Sequence, residues 1–144
     1  MTNENLRRKI FVEMPEKTTH PPRPTDGELE ILNVLWEQGP STVREVHDAI
    51  ARRKTAQYTT VLKLLQIMAG KNLVRRDEKA RAHVYAPSRP REWTQRQLAG
   101  DLLQRAFGGS AKSLVMGALA SKRASKEELV ELREILTEYE RGTR

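Results

Sequence analysis

Residues 57–85, QYTTVLKLLQIMAGKNLVRRDEKARAHVY, decide the fold of this chain. Apolar side chains recur every three or four positions in the first half, which predicts an amphipathic helix over residues 57–70. Two β-prone segments, residues 73–76 and 82–86, flank a charged turn at residues 77–81 and predict a β-hairpin with a basic tip. The apolar stripe of the helix is Tyr58, Val61, Leu62, Leu65, Met68 and Ala69, and its polar face is Thr59, Lys63, Gln66 and Gly70.

Two further helices are predicted upstream of this stretch. Each opens with a capping box, in which a threonine hydroxyl and a glutamate carboxylate satisfy opposite backbone amides: Thr25 with Glu28, and Thr42 with Glu45. The Gly-Pro pair at residues 39–40 ends the first helix. The inward faces are Leu29, Leu32, Leu35 and the expected core anchor Trp36 in the first helix, and Val43, Val46 and Ile50 in the second, where His47 is left open. Three helices followed by a two-stranded wing indicate a winged helix-turn-helix.

Beyond residue 90 the sequence predicts helices only, over residues 92–107, 111–121 and 126–141. These helices hold too few large apolar residues to bury themselves in isolation, so we expect a partner chain to cover their narrow stripes. The candidate dimerisation residues are Leu98, Leu102, Leu103, Leu129, Leu132, Leu136 and Tyr139. The predicted fold class is mainly α: a winged helix-turn-helix with three helices and a two-stranded β wing, followed by a three-helix C-terminal dimerisation region.

The domain organisation follows from these segments. Residues 1–24 contain four prolines and little apolar periodicity, which predicts a flexible N-terminal arm. Residues 25–88 are the predicted winged-helix DNA-binding domain, and residues 89–144 the predicted helical dimerisation domain.

The composition of the 144-residue chain excludes several classes of function. It has no cysteine, and its three histidines have no recognisable ligand spacing, so we expect no metal site and no cofactor. No apolar run approaches the roughly 20 residues that span a bilayer, and we expect a cytoplasmic protein without membrane contact. The acidic pair at residues 127–128 is explained by the dipole at a helix start, so nothing indicates an enzyme.

The charge of the chain is strongly divided. The net charge is +7, which favours a polyanionic partner. Residues 25–51 hold one basic side chain against six acidic ones, whereas residues 52–83 hold nine basic side chains against two acidic ones. One half of the predicted winged helix is therefore suited to approach phosphates.

The basic half carries the candidate DNA-binding residues. On the third helix, glutamine can pair with adenine, lysine with guanine, and threonine with a base or a thymine methyl. The candidates for base contact are Gln57, Thr59, Thr60 and Lys63, and those for phosphate contact are Arg52, Arg53 and Lys54 before the helix and Arg75, Arg76, Lys79 and Arg81 in the wing. Alternatives stay open: the threonines can bond nearby amides, Lys63 can be a solvated cation, residues 52–54 can be a flexible loop, and a basic hairpin can protect a sheet edge.

Several motifs together resemble the penicillinase (β-lactamase) repressor family of winged-helix transcriptional regulators, of the BlaI/MecI type. They are LEILNVLW at residues 29–36, TVREVH at 42–47, YTTV at 58–61, KNLV at 71–74 and the wing ending YAP at 85–87. The likeness covers residues 24–144. It implies a homodimer on a palindromic operator in double-stranded DNA, and DNA contacts at Tyr58, Thr59, Thr60, Lys63 and the basic wing.

The same resemblance implies a sensor protease as a possible partner, because family members that control β-lactam resistance are cleaved at an Asn-Phe bond in the middle C-terminal helix. The matching stretch here, residues 114–121, offers Gly117 and Ala118 instead, so the cleavage bond is not preserved. The predicted function is therefore a sequence-specific DNA-binding transcriptional repressor that acts as a homodimer. The alternative is a winged-helix protein–protein interaction module without operator binding.

Overall fold

The computed structural model describes residues 23–79 and 81–142, so most of the predicted N-terminal arm lies outside the described residues. Within them the helices are α1 (Asp26–Gln38), α2 (Val43–Ala51), α3 (Tyr58–Gly70), α4 (Arg91–Ala106), α5 (Ala111–Ser121) and α6 (Lys126–Glu140). The strands are β1 (Ser41–Thr42), β2 (Val74–Asp77) and β3 (Val84–Pro87). The prediction of a mainly α, winged-helix fold is confirmed.

Both predicted capping boxes are present. The Thr25 hydroxyl accepts from the Glu28 amide at 3.3 Å, and the Glu28 carboxylate accepts from the Thr25 amide at 2.9 Å. Thr42 and Glu45 repeat the arrangement at the start of α2. Gly39 ends α1 with a φ of 84°, a left-handed conformation that glycine adopts without strain. The helix boundaries are therefore set by local capping chemistry that is legible in the sequence.

The wing belongs to a three-stranded antiparallel sheet in the order β1-β3-β2, whereas the sequence predicts two strands. The unpredicted strand, β1, has only two residues and pairs Ser41 with Tyr85 and Thr42 with Val84. A strand this short shows no alternation of apolar and polar residues, so no sequence pattern indicates it. Because β1 leads directly into α2, it ties the wing to the helical part of the fold.

The core lies where one face of α3 packs against α1 and α2. Leu65 and Met68 of α3 are fully buried, as are Ile31 of α1 and Val46 of α2. The prediction that Tyr58 belongs to the buried stripe is wrong, because this side chain is 41% exposed at the first turn of α3. The buried stripe of α3 therefore begins at Val61, and the polar face of the helix points away from the core.

Trp36 packs against this core only in part, and its indole Nε1 donates a hydrogen bond to the Arg89 carbonyl at 3.0 Å. Trp36 therefore anchors the core only with the part of its ring that packs against it. The other function of the indole is to hold the segment that follows β3.

An ion pair with a buried carboxylate joins the start of α1 to the residue that follows α3. Glu28, at the start of α1, is 1% exposed, and both of its carboxylate oxygens accept from the Lys71 ammonium at 3.0 Å. Burial alone raises the pKa of Glu28, but the Thr25 amide and the Lys71 ammonium outweigh it and hold the pKa below its usual range. Lys71 directly follows α3, so this pair fixes the end of that helix.

The described chain divides into two compact units, of which the second begins at residue 96 within α4. Residues 96–142, taken by themselves, contain no buried residue. Hence the second unit has no hydrophobic core of its own. Among the described helices, none combines the length and the apolar character needed to cross a bilayer.

We expect Lys71→Met to lower the free energy of unfolding of the first unit by about 1–3 kcal/mol, because it leaves the buried Glu28 carboxylate without its cation. Urea unfolding followed by tryptophan fluorescence measures this loss, since Trp36 and Trp93 both lie in the first unit. The ionised Glu28 carboxylate contributes fully to the free energy of unfolding above its ordinary pKa. This contribution disappears as the pH falls through the lowered pKa of the folded state. The double variant Glu28→Gln/Lys71→Met should recover part of the stability at neutral pH. An unchanged single variant would contradict this account.

Candidate nucleic-acid interface

The outward face of α3 is polar and unobstructed within its own unit. Thr59, Lys63 and Gln66 are exposed, while Val61 and Leu65 on the opposite side are buried. The predicted helix face is thus the face that the packing leaves free. An α-helix with such a face has the width that the major groove of duplex DNA admits.

The first turn of α3 offers further polar groups. Gln57 is the N-cap residue and not the first helical residue as predicted, and its side chain makes no capping hydrogen bond. In the described part of the chain, the hydroxyls of Thr59 and Thr60 have no hydrogen bond to a nearby backbone group. All three side chains are exposed and available to a ligand.

The helix face continues into the wing across an open groove of about 670 Å³. Gln66 and Gly70 of α3 line one side of it, and Arg75 and Arg76 of β2 line the other. Asn72 forms the floor of the connecting turn with a φ of 63°, which Asn adopts more readily than most residues. The groove therefore joins Arg75 and Arg76 of the predicted wing set to the C-terminal part of the polar face of α3, whereas none of the predicted base-contact residues on the helix lines it.

The wing cations differ in their surroundings. Arg76 pairs with Glu78, and the Tyr85 hydroxyl together with the Glu78 carboxylate raises the pKa of Arg76 above its usual range. In contrast, no carboxylate among the described residues lies within ion-pair distance of Arg75 or Arg81. Lys79 also lacks such a partner, although its backbone amide donates to the Asp77 carboxylate at 2.9 Å at the tip of the hairpin. Among the wing cations of the described residues, Arg76 is thus the one that already has a carboxylate partner.

The three cations before α3 are not alike either. Lys54 lies 2.8 Å and Arg53 3.8 Å from the carboxylate of Glu30 on α1, whereas Arg52 has no carboxylate partner among the described residues. The backbone amides of Arg53 and Lys54 both donate to the Ile50 carbonyl, at 3.0 and 3.1 Å. These hydrogen bonds fix the backbone of this turn, which argues against the flexible loop considered as the alternative.

Two residues beside Tyr58 were missed by the sequence reasoning. The Arg44 guanidinium lies 5.8 Å from the centre of the Tyr58 ring, and the His47 ring meets its edge at 5.9 Å. His47 Nε2 also donates to the Ala56 carbonyl at 2.8 Å, directly before the N-cap of α3. The spacing of three residues between Arg44 and His47 on α2 was the available signal that they share a face.

The candidate dimerisation residues all lie in the second unit. Leu98, Leu103, Leu129 and Leu132 are half-buried, and Leu136 and Tyr139 are 62% and 71% exposed. Leu102 is also exposed. No group of three metal-binding side chains is found among the described residues.

Comparison with known proteins gives the family. A model of the penicillinase repressor family matches residues 24–138. The chain is 36% identical to "Transcriptional regulator BlaI" of Mycobacterium tuberculosis over 81% of this chain and 86% of that one. It is 26% identical to "Penicillinase repressor" of Bacillus licheniformis over 82% and 92% of the two chains.

Among solved structures, the monomeric form of Bacillus licheniformis BlaI in complex with the blaP half-operator is 23% identical and covers 51% of this chain and 89% of that chain, with a TM-score of 0.45. A MarR family protein from Bacillus stearothermophilus is 20% identical and covers 97% and 91%, also with a TM-score of 0.45. The family match over most of the chain confirms the resemblance seen in the motifs. The chain belongs to the penicillinase repressor family, and it is a transcriptional repressor and not an enzyme.

Proposed function

We propose that the protein represses transcription by binding, as a homodimer, to a palindromic operator in double-stranded DNA. The observation that carries the proposal is the exposed polar face of α3, whose C-terminal part, Gln66 and Gly70, meets Arg75 and Arg76 of β2 across one groove. A repressor acts where the DNA is, so we place it in the cytoplasm. The mechanism is occupancy of the operator, without a chemical step or a cofactor.

The exposed side chains of α3 recognise the base sequence of the operator. Lys63 reaches guanine acceptors, Gln57 pairs with adenine, and the short hydroxyls of Thr59 and Thr60 contact base edges or a thymine methyl. Tyr58, held between Arg44 and His47, presents its exposed ring beside them. Thr59 and Lys63 are four positions apart and share one helix face, and the other groups lie at the exposed N-terminal end of the same helix, from which recognition helices contact bases.

Phosphate contact falls to cations without a carboxylate partner. Arg75, Lys79 and Arg81 in the wing, with Arg52 before α3, meet this condition among the described residues. Arg76 contributes less, since the Glu78 carboxylate already pairs with its guanidinium. Phosphate contacts position the protein on the duplex and do not read its sequence.

The proposed domains are the arm at residues 1–24, the DNA-binding domain at 25–88 and the dimerisation domain at 89–144. Dimerisation is supported by the second unit, in which no described residue is buried. The stripe of Leu129, Leu132, Leu136 and Tyr139 on α6 would be covered by the same stripe of a second copy. A two-fold dimer then requires half-sites about one helical turn apart.

A sensor protease enters only through the family resemblance. The position of the scissile bond in α5 holds Gly117 and Ala118, and the ring of Phe107 would lie 3.3 Å from a Cβ added at Gly117. A larger residue at this position would push against Phe107. Control by cleavage at this bond is therefore not part of the proposal.

Lys63→Ala and Thr60→Ala should each weaken binding to the operator by about 1–3 kcal/mol and leave binding to random duplex almost unchanged. Both side chains are exposed, so their loss should not affect the core. The operator is first isolated as the genomic fragment that the immobilised protein retains, and affinities are then measured by gel shift. Lys112→Ala, which removes an exposed cation from α5, is the control. Equal losses on both kinds of DNA would remove these residues from base readout.

Arg75→Gln/Arg81→Gln should weaken binding to operator and to random duplex alike. The slope of log K against log salt should become shallower by up to about 1.8, because each phosphate contact contributes about 0.9. Fluorescence anisotropy over a series of salt concentrations measures the slope. Arg76→Gln is the matched control in the same strand, and a smaller change is expected because that guanidinium is already paired. If Arg76→Gln changed the slope by as much per residue, the assignment of phosphate contacts would be wrong.

Leu136→Glu should convert the protein to a monomer and reduce its operator affinity, because one half-site loses its linked second contact. Leu136 is 62% exposed in the single chain, so the substitution removes little packing within it. Analytical ultracentrifugation reports the mass. Lys126→Glu, which introduces an acidic residue into the same helix outside the stripe, should remain dimeric. A Leu136→Glu variant with the mass of the wild type would contradict the proposed dimer surface.

A further inference from the structure

One carboxylate holds two of the predicted phosphate-binding cations. Glu30 Oε1 lies 2.8 Å from Lys54 Nζ, and Glu30 Oε2 lies 3.8 Å from Arg53 Nη2. The Glu30 side chain is 24% exposed, whereas those of Arg53 and Lys54 are 59% and 57% exposed. The Glu30 carboxylate is therefore the more buried partner, and the two cations contact it from the solvent side.

The turn that carries these cations has a fixed backbone. The Ile50 carbonyl accepts from the amides of both Arg53 and Lys54, which ties the turn to the end of α2. Because the backbone is fixed, the orientation of the Arg53 and Lys54 side chains depends on the nearest negative charge. Glu30 is the carboxylate within ion-pair distance of them among the residues described.

The arrangement is different from that of the cations we assign to phosphates. Arg52, Arg75 and Arg81 have no carboxylate partner in the described chain, so a phosphate meets no competitor there. At Arg53 and Lys54 a phosphate oxygen has to displace Glu30. Exposed ion pairs of this kind are weak, so DNA can break them, but each one broken reduces the gain from phosphate contact.

We infer that Glu30 is an internal competitor of DNA phosphate for Arg53 and Lys54 and sets the sequence-independent part of the DNA affinity. This inference rests on the proposed function. Electrostatic contact supplies nearly all of nonspecific binding, and a repressor has to leave a large excess of nonspecific sites to find its operator. A carboxylate that withholds two cations shortens the time spent on such sites without altering any group that contacts a base.

Glu30→Gln keeps the size and shape of the side chain and removes its charge. We expect the variant to bind random duplex about three to ten times more tightly than the wild type at low salt, with a slope of log K against log salt steeper by about 1–2. Affinity for the operator should rise by a similar factor, so the ratio of the two affinities should stay the same. Fluorescence anisotropy on both duplexes over a salt series measures all of these quantities.

Two controls separate a local effect from a change in net charge. Glu37→Gln removes the same charge from the same helix, but Glu37 pairs at 4.0 Å with Arg91, outside the predicted DNA-binding set. It should leave both affinities close to those of the wild type. In an Arg53→Gln/Lys54→Gln background, addition of Glu30→Gln should have no further effect, because the cations for which Glu30 competes are gone.

The outcomes distinguish the inference from the function on which it rests. If wild-type protein bound no duplex DNA with a salt-dependent affinity, the proposed function would fail. If the wild type bound DNA but Glu30→Gln bound no more tightly than Glu37→Gln, only the inference would fail. A decrease in affinity, or a gain that persisted without Arg53 and Lys54, would also overturn the inference. Titration to a stoichiometric end point checks that each variant is fully folded and active.

Discussion

The packing of one face of α3 onto α1 and α2 is the constraint on which the other features depend. Because Leu65 and Met68 are fully buried, the polar side chains on the far side of the same helix have to face outward. The strand β2 follows within a few residues, and the short strand β1 ties the sheet to the start of α2. Burial of a few apolar groups thus fixes where the basic wing lies relative to the recognition face.

The acidic first half of the winged helix is more than a surface turned away from DNA. Two of its carboxylates form ion pairs with the basic half. Glu28 pairs with Lys71, which follows α3, and Glu30 pairs with Arg53 and Lys54, which precede it. In the first pair the carboxylate is buried and the pair serves stability, whereas in the second pair both cations are exposed enough for a phosphate to compete with Glu30. One helix therefore controls both ends of the recognition helix through charge.

Much of this architecture could be predicted from local sequence. Capping boxes at Thr25 and Thr42 gave the helix starts, and the apolar period placed α3 to within one residue. Strand β1 escaped prediction because two residues carry no period. The exposure of Tyr58 and the pairing of Lys54 with Glu30 depend on contacts between segments far apart in the chain, for which a single sequence contains no signal. Base contacts remain a prediction, since they depend on a partner molecule.

In the proposed complex, α3 enters the major groove in each half of a two-fold operator. Dimethyl sulfate protection tests it most directly, because guanine N7 is exposed only in that groove. We expect protected guanines in two patches about one helical turn apart, both on the same side of the duplex. Protection of the sugar–phosphate backbone with every guanine N7 left reactive would show that the protein binds DNA without inserting this helix, and would contradict the account.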